Sequence, residues 1–227
     1  MSTSPLWRLE LHAHTIYSKD CLTRLDKLQN ICKKHSIDKF AITDHNTAQA
    51  ALQMAHLYPM WIIPGEEIMT TEGELLAWYI KEEVPPQLTP QETIERLRDQ
   101  HAVIGIAHPF DRYRRGAWQP EQLTEIVDLV DCVEVFNARC IHNEDNLKAL
   151  DFAKEHNKLM TCGSDAHSPQ EYGKAVLKTR PFANTADGLR QALLDATREE
   201  TQSSPLIHFS SRYAKWMKAL FPSLKPR

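Results

Sequence analysis

No apolar run in this chain of 227 residues reaches the roughly 18 that a membrane-spanning helix needs. The opening MSTSPLWRLE lacks the apolar stretch of a signal peptide. Excess positive charge is missing too, and a net charge of −3 argues against bulk electrostatic attachment to nucleic acid or membrane. The five cysteines, Cys21, Cys32, Cys132, Cys140 and Cys162, include no C-x-x-C pair; that odd count suits buried free thiols in a reducing compartment. A cytoplasmic location is therefore expected. No G-x-x-x-x-G-K-[ST] loop, G-x-G-x-x-G fingerprint or G-x-S-x-G elbow occurs, which removes the obvious nucleotide-cofactor sites and the serine-hydrolase elbow. Without internal repeats or long linkers, the chain reads as one domain able to bury a sizeable core.

What is present alternates. Short strand-like runs are expected at Leu6–Leu11, Lys39–Thr43, Met60–Ile63, Leu75–Lys81, Ala102–Ala107, Cys132–Phe136 and Leu159–Cys162, with an eighth at Ala175–Lys178. Helical patterns fall between them at Leu25–His35, Ala48–Leu57, Pro90–Gln100, Gln122–Leu129, Asn143–His156 and Thr185–Ala196. Thr89-Pro90-Gln91-Glu92 reads as a capping box with proline at the first helical position, and Asn184 as the cap of the sixth helix. Strands separated by helices predict an α/β fold with a mostly parallel sheet, open or closed into a barrel. Residues 1–201 would form this body, and the basic, amphipathic 202–227 a C-terminal helix and tail packed on it.

The polar residues collect at one place in this alternation. His12 and His14 follow the first strand, two apart and so on one face of an extended chain, with Asp20 in the next loop. Asp44 and His45 end the second strand, and Glu66 and Glu67 follow the third. Later strand ends bring His108, then Glu134 and Asn137, then Asp165 and His167. Taken singly, each has a bland reading: a structural histidine, an aspartate capping the next helix, a solvated loop carboxylate for Glu66. Six successive strand ends bearing His, Asp or Glu, in a chain 25% charged, do not. Ligands bind at that edge of parallel α/β sheets. Five histidines with some four carboxylates exceed the three protein ligands of one catalytic zinc and suit two or three ions that activate water for hydrolysis.

With these residues assembled, the chain resembles the PHP (polymerase and histidinol phosphatase) superfamily. The motifs stand as HAHTIYS, ITDHN, GIAHP and GSDAH, in the family's order, with PGEEI and VEVFNAR between them. The resemblance implies a distorted (β/α)7 barrel and a metal-dependent phosphoesterase that carries zinc, manganese or iron in a site of two or three divalent ions. It implies His12, His14 and Asp165 on the first metal, Glu67 as the bridging carboxylate, His108 and Glu134 on the second, and Asp20, His45 and His167 on a third. Asp20 and Glu134 stand where many relatives have histidine, which favours harder ions such as Mn²⁺ or Fe²⁺. Asp44 is read as an acceptor that orients a metal-bound imidazole, or else as a helix cap.

The loop PFDRYRRG brings Arg112, Arg114 and Arg115 to the predicted mouth, and Arg139 follows a ligand-bearing strand. Guanidinium groups match phosphate oxygens in pairs, so these four are the expected phosphate contacts; a solvated basic loop is the plain alternative. Tyr113 and Trp118 would stack on a ring or simply pack. His167 or Asp20 would protonate a leaving alkoxide. The expected partner is a small phosphorylated metabolite or nucleotide, with no membrane and no stable nucleic-acid complex. Two further readings stay open: an amidohydrolase-type metal hydrolase, and a metal-stabilised barrel kept as a binding module.

Overall fold

The computed structural model describes residues 5–114, 116–224 and 226. Nine strands form one sheet in the order β7-β6-β5-β4-β3-β2-β1-β8-β9. They are β1 Trp7–Glu10, β2 Lys39–Ile42, β3 Ile62–Met69, β4 Glu74–Trp78, β5 Val103–Ile106, β6 Cys132–Asn137, β7 Leu159–Gly163, β8 Ala175–Thr179 and β9 Thr197–Glu200. Strand β7 also lies against β8 and β9, so the sheet curls into a nearly closed ring. The α-helices among the described residues are α1 Leu28–Lys34, α2 Gln49–Leu57, α3 Pro90–Asp99, α4 Pro120–Ile126, α5 Asn143–Glu155, α6 Ala186–Leu194 and α7 Ile207–Leu220.

The expected α/β barrel is the fold observed, with three corrections. Four of the eight pairings are antiparallel: β3–β4, β4–β5, β1–β8 and β8–β9. Between β3 and β4 there is no crossover helix. A tight turn closes there instead, with the Thr70 N–H and hydroxyl both bonding the Gly73 carbonyl (2.9 and 2.7 Å). Strand β9, with the sequence TREE, half exposed at the sheet edge, carries no apolar alternation and was not expected. The capping box at Thr89 forms as predicted, but α6 is capped by Thr185, which accepts from the Gly188 N–H at 3.1 Å. Asn184 instead bonds the Tyr79 hydroxyl at 3.0 Å and the Pro59 carbonyl at 2.7 Å.

One apolar cluster draws on every strand from β1 to β8, including Leu9, Ala41, Ile63, Trp78, Val103, Cys132, Cys162 and Leu177, and so fills the ring. Leu189 and Leu193 of α6 join it. Helices α1 and α2 cover β2 and β3 outside (Leu28, Ile31, Phe40, Ile62), and a second outer layer around Ile94, Leu123 and Ala153 covers β4 to β6. All five cysteines are buried and free. Among the described residues, no helix is long and apolar enough to cross a membrane.

Within β3 the strand period of two decides which acid matters. Ile63 and Glu67 share the inner face, while Glu66 points outward with Ile68. Glu66 is not the solvated loop carboxylate the sequence suggested: it is fully buried, accepts from the Val84 N–H at 3.0 Å, and burial pushes its carboxyl up to about 8.

Candidate metal centre

β1, β2, β3, β5, β6 and β7 run in one direction, so their C-terminal ends share one rim. Strand β4 runs the other way, which brings its first residue, Glu74, to that rim. All five rim histidines, His12, His14, His45, His108 and His167, converge there. His14 stacks against His45 and lies tilted against His167, with ring centroids 4.2 Å away in each case, and His12 lies 5.3 Å from His14 and 5.7 Å from His108. Four groups of side chains offer donor atoms close enough to hold an ion: His14, His45 and His167; His12, Glu67 and His108; His12, His14 and Asp165; and His45, Glu67 and Glu74.

Glu67 sits in the middle. Its Oε1 lies 2.9 Å from His108 Nε2 and 3.3 Å from His12 Nε2, and its Oε2 lies 2.7 Å from His45 Nδ1 and 3.4 Å from His14 Nε2. Asp165 Oδ1 approaches His14 Nε2 at 3.0 Å. Asp20 Oδ1 faces His167 Nε2 at 3.4 Å and His45 Nε2 at 3.7 Å. Backbone supports this convergence at a cost. His108 (φ 27°) and Asp165 (φ 51°) are left-handed at the ends of β5 and β7, a conformation non-glycine residues hold at about 1–3 kcal/mol.

The ring orientations have visible causes. His12 Nδ1 lies 2.8 Å from Glu134 Oε1; a carboxylate only accepts, so that nitrogen carries a hydrogen and Nε2 is the one turned inward. His14 Nδ1 lies 3.1 Å from the Ser18 hydroxyl, which donates to Asp44 at 2.6 Å. Asp44 also takes the Thr15 N–H and hydroxyl, both at 2.6 Å, and the Ser18 N–H at 3.1 Å. It therefore clamps the HTIYS loop and reaches His14 through Ser18, not by direct contact with a ring. His167 Nδ1 lies 2.7 Å from the Asp165 carbonyl, leaving Nε2 toward Asp20.

The electrostatics are those of a cluster short of cations. Asp20, Glu67, Glu74, Glu134 and Asp165 are all buried. Burial alone would push the carboxyls of Asp20 and Glu67 up, but facing imidazoles, His45 for Asp20 and His12 and His45 for Glu67, hold both well below the usual range. Burial, then the neighbouring Glu67 charge, pushes Glu74 up. Burial disfavours charge on His12, yet Glu134, Glu67 and Asp165 raise it well above the ordinary imidazole range. Burial, with His167 and His45 beside it, lowers His14. Two buried atoms here, His12 Nε2 and Asp20 Oδ1, have no hydrogen-bond partner among the described residues. Buried donors of this kind, with oxygen and imidazole mixed, fit divalent cations.

The arginines separate. Arg112 turns away to Asp145 at 2.8 Å, and its side chain is 56% exposed. Arg114 lines the cavity above the cluster, bonding Asp111 at 3.0 Å and Asp165. Arg139 is buried beside His167, bonds the Ser211 hydroxyl of α7 at 2.8 Å, and lies 3.3 Å from Glu171. Arg115 lies outside the described residues. Tyr113 is exposed at the cavity, whereas Trp118 is buried in the outer core with its Nε1–H on the Glu74 carbonyl at 3.2 Å, so it packs and does not stack on a ligand. The cavity measures about 650 Å³, and α7 contributes His208, Phe209, Arg212 and Lys215 to its wall. Lys215 pairs with Asp20 Oδ2 at 3.2 Å.

Comparison with known proteins accords with this geometry. A family model described as PHP-associated matches residues 143–198. The "uncharacterized protein MJ0417" of Methanocaldococcus jannaschii is 40% identical over 174 residues, 75% of this chain and 70% of that one. A two-domain protein from Bacteroides vulgatus containing a predicted PHP-like metal-dependent phosphoesterase superposes with a TM-score of 0.68 at 17% identity; the match covers 86% of this chain and 65% of that one. The lesion-specific endonuclease PfuEndoQ of Pyrococcus furiosus superposes at 0.63 and 17% identity, over 88% of this chain and 60% of that one. The chain thus belongs to the same family as this archaeal relative, carries a PHP-associated segment and shares the fold of PHP-like phosphoesterases.

Proposed function

We propose that the protein is a metal-dependent phosphoesterase that hydrolyses the phosphate ester of a small metabolite or nucleotide. One observation carries the reading: five imidazoles and a central Glu67 converge at the floor of a cavity whose wall bears Arg114, Arg139, Lys19 and Lys215. The fold's likeness to a PHP-like metal-dependent phosphoesterase supports it. His12, His14, Asp20, His45, Glu67, His108, Asp165 and His167 would hold two or three divalent ions, with Mn²⁺, Fe²⁺ and Zn²⁺ the choices the donor set suits. Such ions supply Lewis acidity and lower the pKa of water.

The protein's own groups do the rest. Arg114, fixed by Asp111 and Asp165, presents its guanidinium to a phosphate entering the cavity, and Arg139 stands behind it at His167. His167 Nε2 faces Asp20 Oδ1, while its Nδ1 lies between the Asp165 carbonyl and the Arg139 guanidinium. Where no third ion takes His167, its Nε2 would hold a proton for the leaving alkoxide, with Asp20 as its partner. Arg112 has no part in this scheme.

The test is phosphate release from p-nitrophenyl phosphate and a panel of phosphorylated metabolites and nucleotides, after reconstitution with Mn²⁺, Zn²⁺ or Fe²⁺. Metal-dependent turnover of a monoester is expected. Cleavage confined to damaged DNA, or to amides, would replace this reading with an endonuclease or an amidohydrolase. Tight metal binding without turnover of any of these would leave a binding module.

A further inference from the structure

Two carboxylates compete for the place beside His108. The resemblance puts Glu134 on an ion there, but three protein donors already occupy its two oxygens. Oε1 takes the Nδ1–H of His12 at 2.8 Å, and Oε2 takes the His108 backbone N–H at 2.9 Å and Asn137 Nδ2 at 3.1 Å. Glu134 moreover stands on the Nδ1 side of His12, whereas Nε2, the nitrogen without a hydrogen-bond partner, faces Glu67.

Glu74 differs on each count. Its carboxylate oxygens lie 3.5 Å from His108 Nε2 and 3.9 Å from His45 Nδ1, beyond hydrogen-bond reach. Two donors each about 2.1 Å from a common ion stand roughly 3.0–3.4 Å apart, close to these separations. With His45 and Glu67, Glu74 forms a group whose donor atoms all lie within 4.8 Å of one another, and it opens on the cavity. The hairpin behind it is fixed. Trp118 donates to the Glu74 carbonyl, and its ring lies so close to Gly73 that a Cβ there would come within 2.2 Å.

We propose that Glu74, delivered by the antiparallel strand β4, is a metal ligand of this centre shared with Glu67, His45 and His108, and that Glu134 is a positioning residue that holds His12 with Nε2 inward. The assignment rests on the metal-dependent reading above. A second carboxylate beside Glu67 makes that position oxygen-rich, which favours Mn²⁺ or Fe²⁺ over Zn²⁺.

The experiment is calorimetric titration of the metal-stripped full chain with Mn²⁺ alone, with bound metal counted by elemental analysis, for wild type, Glu74→Gln, Glu74→Asp and Glu134→Gln. Circular dichroism of each establishes folding. Glu74→Gln is expected to bind one ion fewer, or to bind one at least a hundredfold more weakly. Glu74→Asp, with its shorter arm, should weaken the same ion about tenfold, and it carries the test should Glu74→Gln not fold. Glu134→Gln should keep the wild-type number of ions with affinity lowered ten- to hundredfold, as expected for the partner of a ligand histidine. Wild-type number and affinity in both Glu74 variants, or loss of an ion in Glu134→Gln, overturns the assignment. Because metal is counted without turnover, absence of phosphatase activity beside these results would count against the enzymatic reading alone.

Discussion

His12 and Glu134 meet 2.8 Å apart at the back of the centre, and the chain behind them has no room for a side chain. A Cβ placed on Gly163, the last residue of β7, would lie 2.2 Å from the His12 Cβ and 2.6 Å from Glu134 Oε1. The glycine of the GSDAH motif is therefore a matter of close approach. Gly163→Ala is expected to push His12 off its carboxylate, costing about 1–3 kcal/mol as overpacking does and weakening metal binding. Urea denaturation and Mn²⁺ titration check it; an unchanged variant on both counts would refute the packing account.

Ser18 links the HTIYS loop to the histidines. Its hydroxyl accepts from His14 Nδ1 (3.1 Å) and the His45 N–H (3.0 Å) and donates to Asp44 (2.6 Å). Ser18→Ala leaves these buried partners short, which should cost about 1–3 kcal/mol and lower metal affinity ten- to hundredfold by freeing the His14 ring. The measurements are a denaturation midpoint and a metal titration. Lost stability with wild-type affinity would confine Ser18 to the loop.

Much of this centre was legible in the sequence, for a physical reason. The strand period, the H-x-H spacing and the position of acids at strand ends are local properties, and parallel strands turn them into one rim. The inner face of β3, and with it the choice of Glu67 over Glu66, agrees with the motif. What the local sequence does not encode depends on direction and on distant partners. Glu74 opens a strand, so it reaches the rim only because β4 runs backward, and the TTEG turn that reverses the chain was the available signal. Nothing local distinguishes Arg112 from Arg114; their partners, Asp145 and Asp165, lie 33 and 51 residues away. The edge strand β9 has no buried face to impose a pattern.

That difference between neighbouring arginines yields a kinetic contrast. Arg114→Lys keeps a charge beside Asp165 but loses the planar fork, and KM for a phosphomonoester is expected to rise about tenfold. Arg112→Ala, which breaks a pair with the buried Asp145 away from the imidazole cluster, should leave kcat and KM unchanged. Equal effects of the two substitutions would show that the loop acts as a diffuse basic patch.

Glu66 sets a pH dependence away from the rim. Burial raises its carboxyl from 4.5 to about 8, so the folded chain holds a proton there that the unfolded chain releases above about 4.5. The sign follows: Glu66 leaves stability intact below pH 4.5, lowers it progressively as pH rises toward 8, and adds no further loss above. Glu66→Gln removes the titration. Relative to wild type it is expected to gain roughly 2–4 kcal/mol at pH 8.5 and almost nothing at pH 4.5. Guanidinium denaturation at both values reads the difference, and a constant offset at the two would dissociate Glu66 from the effect.

Removing metal should be felt by the whole fold. Five buried carboxylates, Asp20, Glu67, Glu74, Glu134 and Asp165, share the rim with imidazoles that compensate them only when protonated. Ions that bind the folded chain and not the unfolded one add stability by mass action, about 2.7 kcal/mol per site at a hundred times the dissociation constant. For a chain of this length that corresponds to a rise in Tm of about 5–10 °C. Stripping with EDTA should therefore lower Tm, and added Mn²⁺ should restore it in proportion to the logarithm of its concentration. The EDTA effect should shrink as pH falls from 8 to 6, because protons compete with the ions for the imidazole nitrogens, above all at His12 and His45, which neighbouring carboxylates raise above the ordinary range in spite of burial. Scanning calorimetry at pH 6 and 8, with and without Mn²⁺, measures both dependences. A Tm indifferent to chelator at pH 8 would mean that protons, arginine and lysine already balance the cluster and that divalent ions contribute nothing to holding it together.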